Sequence, residues 1–212
     1  MLKKAERWLY RFRIPPFFQY LILTMAGVYV LDWLFPAFFL TYKLSFIRDA
    51  IFHGEIWRLV TFLLLPPYGN ILQAALTLYF YYFVGTALEG RWGPRRFLIY
   101  YLIGALCAIL SGLITGYTTN LYLNLSLFFA FAIQYPDFQL LLFFMFPIKV
   151  KWLAVFDGLL YLYFFINGAW ADRIALIFSL VNLFLFFGGD IMNLITSSIR
   201  QWKRRQTFKR NS

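Results

Sequence analysis

The chain has 212 residues, 62% hydrophobic, 23% aromatic and only 14% charged, with a mean hydropathy of +0.67. Soluble domains carry about a quarter charged residues, so an ordinary soluble domain is excluded. The net charge of +11 would suit nucleic acid, but it is concentrated at the two ends, beside apolar segments, which points to anionic lipid headgroups instead. Cys107 is the only cysteine and lies in an apolar run, so no disulfide framework or thiolate metal site is expected.

Residues 1–16 form a basic amphipathic segment carrying Lys3, Lys4, Arg7, Arg11 and Arg13. The following apolar run contains Asp32 and has no small-residue cleavage site, so it reads as a retained span and not as a signal peptide. Expected spans are 17–40, 71–88, 97–116, 121–135, 152–166 and 174–189, within a single membrane domain over 17–190. A basic tail, 191–212, closes the chain. The fold class is all-α, since neither strands nor period-two alternation are expected and lipid tolerates only helices or closed barrels.

Six spans put both termini on one side of the membrane. That side then holds 16 of the 20 Lys and Arg residues, including Arg91, Arg95, Arg96, Lys149 and Lys151. Only Lys43, Arg48, Arg58 and Arg173 fall opposite. The positive-inside rule makes the rich side cytoplasmic, and five or seven spans would break that agreement. Spans four and five, at about 15 residues or ~22 Å each, are short against a ~30 Å hydrocarbon core. They must thin the bilayer or shelter among longer neighbours. The run "LLLFFMFP" at 140–147 is too short to cross and is expected in the interface. Gly104, Ala108, Gly112 and Gly116 recur every four residues and mark a face for close helix packing.

The long first connector holds "IFHGEIWRLVTFLLLPP", and span two ends in "FVGTALEGRWGPRRFLIYYLIGA". These segments resemble the rhomboid superfamily in the pair Trp57-Arg58 and in the pattern Gly85, Leu88, Glu89, Gly93, Arg96 and Phe97. "RIPPFFQY" and "YPDFQLLLFFMFPIKVKWLAV" are similar to the Derlin branch, and the likeness runs over residues 13 to 190. It implies a six-span bundle with the first connector lying half-submerged beside it. Trp57 would then sit at the headgroups, Arg58 would be tied by carbonyls or a carboxylate, and Leu63, Leu64 and Leu65 would face lipid before Pro66-Pro67 stop the helix.

Active members use a serine in Gly-x-Ser-Gly in span four and a histidine in span six. This sequence has no such motif: Leu121 falls near the serine position, and Asn182 stands where the histidine would be. Ser126 lies further along span four without flanking glycines, and the only histidine, His53, is in the first connector. Gln73 and Thr77 occupy the places of the oxyanion-stabilising pair. Beyond Asn182, Leu185 replaces the first glycine of a small-residue motif and Gly189 keeps the second. No catalytic residue, metal ligand set or cofactor is expected.

The resemblance therefore implies a catalytically inactive rhomboid-like protein of the Derlin type. It would bind or move the transmembrane segments of other membrane proteins and thin the bilayer, in membrane protein quality control. Spans two and five would form a lateral gate, with Tyr82, Tyr161 and the intramembrane Asp157 as its candidate residues; Asp157 can alternatively pair with Lys151. The alternatives are a serine protease with displaced residues and a small transporter or channel subunit using Asp157, Asn124 and Asn182. Expected partners are transmembrane segments and anionic lipids, not nucleic acid, with a homo-oligomer left open. The short tail and compact loops favour a bacterial plasma membrane over the endoplasmic reticulum.

Overall fold

The computed structural model describes residues 15–67, 69–142 and 146–188; the basic segment at the amino end, the carboxyl tail, Gly189 and Asp190 lie outside them. The chain is a helical integral membrane protein. Four helices are long and apolar enough to cross a bilayer: α5 (Ile71–Trp92), α6 (Pro94–Thr115), α8 (Val150–Asn167) and α9 (Trp170–Gly188). Helix α1 (Phe18–Leu34) meets the same length and composition only together with 36–44, from which a 103° bend separates it, so the described residues hold four or five candidate spans. The short α7 (Leu121–Gln134) completes the bundle.

The expected first span was too long. Pro36 follows a helix that has already ended at Leu34, because the residue before a proline is driven out of the helical region. Asp32 then braces the corner, accepting hydrogen bonds from the Thr41 amide at 3.2 Å and its hydroxyl at 2.8 Å. The short helices α2 (Leu40–Leu44), α3 (Arg48–Phe52) and α4 (Arg58–Thr61) and a 3-10 turn at Phe62–Leu64 make up the rest of the connector.

The expected connector between spans two and three shrinks to one residue. Helix α5 runs on to Trp92, Gly93 turns the chain at φ 81°, and Pro94 starts α6. A proline loses nothing at a first helical position, and only glycine takes that φ without strain. At its other end α5 is closed by a capping box, with Asn70 Oδ1 accepting from the Gln73 amide at 2.9 Å and Gln73 Oε1 from the Asn70 amide at 3.2 Å.

Strands are present, against expectation. Strand β1 (Phe46–Ile47) pairs antiparallel with β2 (Tyr117–Thr118), which fastens the first connector to the end of α6. Strands β3 (Gln139–Leu142) and β4 (Phe146–Lys149) pair antiparallel in the stretch expected at the interface. Such pairing lets a short segment satisfy its own backbone where one helical turn could not. Lys149 and Lys151 both donate to Asp137 at 3.1 Å. Those bonds hold its carboxyl below the usual range, so the clamp is complete above that range and is lost only as acid protonates it.

Span five is also longer than expected, at 18 residues or ~27 Å. The truly short α7, 14 residues, is sheltered: Leu123, Leu127, Phe128, Ala130, Phe131 and Ala132 along it are all buried.

The core lies where α1, α5, α6 and α7 meet. Phe18, Met25, Leu88, Phe97, Tyr100 and Phe131 there are essentially inaccessible. Gly85 makes the α1–α5 contact, since a Cβ on it would run into the Phe18 ring. One turn on, Glu89 is buried and its carboxylate accepts the Phe17 amide at 2.9 Å, so it satisfies an otherwise orphaned donor at the start of α1. A Gly85→Ala chain should therefore lose about 1–3 kcal/mol by overpacking. Phe18→Leu in the same chain should return part of that loss. Thermal unfolding in detergent measures both, and an unchanged melting point for Gly85→Ala would refute the close contact.

Candidate functional site

Among the described residues, polar groups gather in three places. The first is the root of the connector. Arg58 is 3% exposed. Its Nε donates to Glu55 Oε2 at 2.5 Å, and its Nη1 donates to the carbonyls of Tyr42 at 2.6 Å and Ser45 at 2.8 Å. One planar fork thus ties α4 to the turn after α2, with the Tyr42 ring 5.5 Å away as a further partner. Trp57 beside it points outward and is half exposed. The connector does not float free on its apolar side either. Phe62 and Leu65 are buried with Phe46 and Ile51, so the expectation that Leu63 to Leu65 face lipid fails: Leu65 is 3% exposed, and Leu63 packs against both core clusters. Asn120, which nothing in the sequence pattern singled out, donates to the carbonyls of Leu63 at 3.2 Å and Leu65 at 2.9 Å. Its signal is only positional, a polar residue directly before a membrane helix.

The second place is the interior between α6, α7 and α9, where a small cavity is lined by Ser126, Ser179, Asn182, Thr118 and Thr119 among apolar neighbours. The residues read as the degenerate catalytic set divide between this cavity and other sites. Asn182 lines the cavity, fully buried. Leu121 does not: it begins α7 and is exposed, and Ser126 occupies the cavity instead. Ser126 Oγ donates to the Leu123 carbonyl at 2.8 Å and accepts from Tyr100 Oη at 3.1 Å. Gln73 belongs to the capping box at the rim of α5, Thr77 is half-buried one turn on, and Leu185 faces outward. His53, whose Nδ1 lies 2.6 Å from the Asp49 carbonyl, is exposed on α3's end and far from this interior in the fold's connectivity.

The motif residues Gly85, Leu88, Glu89 and Gly93 converge on the α1–α5–α6 junction described above, and Arg96 stands exposed in the first turn of α6. At the neighbouring end Arg91 Nε donates to Gln134 Oε1 at 3.0 Å and covers the Tyr135 ring, joining the ends of α5 and α7.

Helices α5 and α8 both pack on α7, so they flank it as two posts. Tyr82 faces outward on α5. Tyr161 turns the other way, against Phe129 and Tyr122 of α7, and its hydroxyl is buried without a hydrogen bond among the described residues. The α5 residue within its electrostatic reach is Tyr81, not Tyr82. Tyr81 in turn approaches the buried amide of Asn124 without closing a hydrogen bond of good geometry. Asp157 is half-buried one turn before Tyr161 and within its electrostatic reach, and the Lys151 partner expected for it bonds Asp137 instead. The floor between the posts, the third place, therefore carries Tyr81, Asn124, Tyr161 and Asp157. Tyr122 links this floor to α9 by donating to Asp172 Oδ1 at 2.9 Å. Among the described residues no group of three or more His, Cys, Asp or Glu side chains can hold a metal ion.

Removing the Arg58 fork strands two carbonyls and a carboxylate. Arg58→Ala should cost about 3 kcal/mol, and Arg58→Lys, which cannot reproduce the planar fork, about half of that. Trp57→Ala should stay within about 0.5 kcal/mol in detergent micelles, because its side chain is largely free. Melting temperatures of the three variants check this ordering; equal losses for Trp57 and Arg58 would contradict it.

A scan against models of known protein families and a search of curated proteins both return no match to this sequence, so a function must be argued from the residues and their geometry.

Proposed function

We propose that the protein is a catalytically inactive, rhomboid-like membrane protein of the Derlin type that receives transmembrane segments of other membrane proteins laterally, between α5 and α8. The observation that carries this reading is the state of Ser126 and Asn182. They share one cavity, yet the Ser126 hydroxyl already donates to Leu123, and Asn182 has no basic nitrogen to take a serine proton. A serine so placed has no activator beside it, which supports the inactive reading.

Six crossings with both termini cytoplasmic fit the six apolar helices, if α7 is counted as a sheltered crossing and α1 as a bent one. The cytoplasmic end would then present Arg91, Arg95, Arg96, Lys149 and Lys151 to anionic lipids, with no role for nucleic acid. A bacterial plasma membrane and a part in membrane protein quality control complete the proposal.

The client route follows from α8. Of its residues only Val150 is fully buried, so most of the helix stays open to lipid or to another helix. A passing span with a polar group would find the Tyr161 hydroxyl and the Asn124 amide, both without a partner among the described residues. In lipid such a pair has few other ways to be satisfied. Thinning is a smaller effect than 15-residue spans imply. The exposed helices α1 and α8 measure ~26 and ~27 Å, only a few Å under the ~30 Å core.

Topology is checked with single cysteines at Ser212 and Trp170 in a Cys107→Ala background, probed with an impermeant maleimide on sealed vesicles. Opposite-side labelling is expected; same-side labelling ends the six-span arrangement. Function is checked by placing a photoreactive residue at Tyr81 or Leu159 in cells. Client spans with a polar residue should crosslink several-fold more than uniformly apolar ones, while a fluorophosphonate probe leaves Ser126 unlabelled. Cleavage activity abolished by Ser126→Ala, or crosslinks indifferent to client polarity, would overturn the assignment.

A further inference from the structure

We propose that the cavity between α6, α7 and α9 is a binding site for one ordered water, which hydrates the Asn182 side chain. Asn182 is 0% exposed, and neither its Nδ2 nor its Oδ1 has a hydrogen-bond partner among the described residues. A buried amide with both ends unpaired is among the costlier things a helical bundle can hold, and a leucine of similar size would avoid that cost. The amide lines a small space with room for a guest.

The cavity measures about 10 Å³, close to the smallest space that accepts a single water. That size excludes an organic ligand or an acyl chain. Its lining includes no acidic or basic side chain to balance the charge of an ion. It does include hydroxyls with capacity to spare. Ser179 Oγ donates to the Tyr122 carbonyl at 2.8 Å and keeps its lone pairs. Ser126 Oγ donates to the Leu123 carbonyl, and accepting from Tyr100 leaves it one lone pair. A water there can accept from Asn182 Nδ2 and donate to a hydroxyl, within the two to four bonds that buried waters make.

Gly104 is what leaves the space. A Cβ at that position would stand 2.7 Å from Asn182 Nδ2 and would also strike Leu123. Thr118 and Thr119, in the connection from α6 to α7, line the same cavity and add two hydroxyls to its wall. The inference does not depend on what the protein does with other membrane proteins.

The test uses the full chain in detergent, labelled with ¹⁵N-asparagine, and reads water–amide cross-relaxation. The Asn182 side-chain resonance is assigned by its disappearance in Asn182→Leu. A persistent water cross-peak on that amide is expected in the wild type. Ala175→Val, which narrows the cavity from α9, should abolish the cross-peak and lower Tm by about 5 °C, because the amide is then stranded. Asn182→Leu alone should leave Tm within about 2 °C, and adding it to Ala175→Val should recover at least half of the loss. That recovery separates a stranded amide from simple overpacking, which the double variant would worsen. No water cross-peak in the wild type overturns the proposal, as does a double variant less stable than Ala175→Val alone. Should Ala175→Val fail to fold, the wild-type cross-peak and the Asn182→Leu melting point still decide.

Discussion

Everything on the first-connector side of this protein depends on one buried guanidinium. The chain between α1 and α5 is too long to stay ordered by helix propensity and too apolar to remain in water. Its helices are four or five residues long, well below what is stable alone. Arg58 solves this by acting as a hub: the Glu55 carboxylate and two carbonyls from the end of α2 meet on one side chain. With those turns fixed, Phe46, Ile51, Phe62 and Leu65 can close into a satellite core, and Asn120 and the β1–β2 pair tie that core to the main bundle. A lysine has one ammonium and no rigid fork, so the choice of arginine follows from the geometry of the acceptors.

The main bundle uses a different device. Close approach of α1 to α5 and of α6 to its neighbours is purchased with missing side chains, at Gly85, Gly104 and Gly112. Lipid gives no hydrophobic reward for helix association, so dispersion across such contacts carries much of the stability. The same small residues admit buried polar groups. Tyr100 reaches the Ser126 carbonyl at 3.0 Å, Glu89 caps α1, and Tyr122 fastens α7 to α9. Packing and polar satisfaction are therefore one arrangement, and a methyl group added at Gly104 would disturb both.

Contrast between the helices bears on function. Helix α7 is enclosed on most sides, whereas α8 rests on α7 and β4 and presents most of its length outward. A helix with one well-packed side is the one whose displacement loses least. The unpaired polar atoms of Tyr161, on its own inner side, and of Asn124 on α7 lie along that contact, which is why its movement and recognition of a polar client are natural companions in the proposed function.

Much of this was legible in the sequence because it depends on local composition. Long apolar runs dictate membrane helices, prolines and glycines mark their ends, and Trp57-Arg58 announces an anchored connector. What the sequence left undecided was every feature set by partners distant along the chain. Helix α5 continues through Glu89 and Arg91 because Glu89 accepts the Phe17 amide and Arg91 donates to Gln134, and no local signal reveals those partners. The 139–149 hairpin reads as an apolar run until its register is seen, since apolarity alone does not distinguish a short strand from a helix. Leu65 was assigned a lipid-facing side and turns inward because neighbouring elements, not periodicity, choose which face is buried in a chain that is hydrophobic all round.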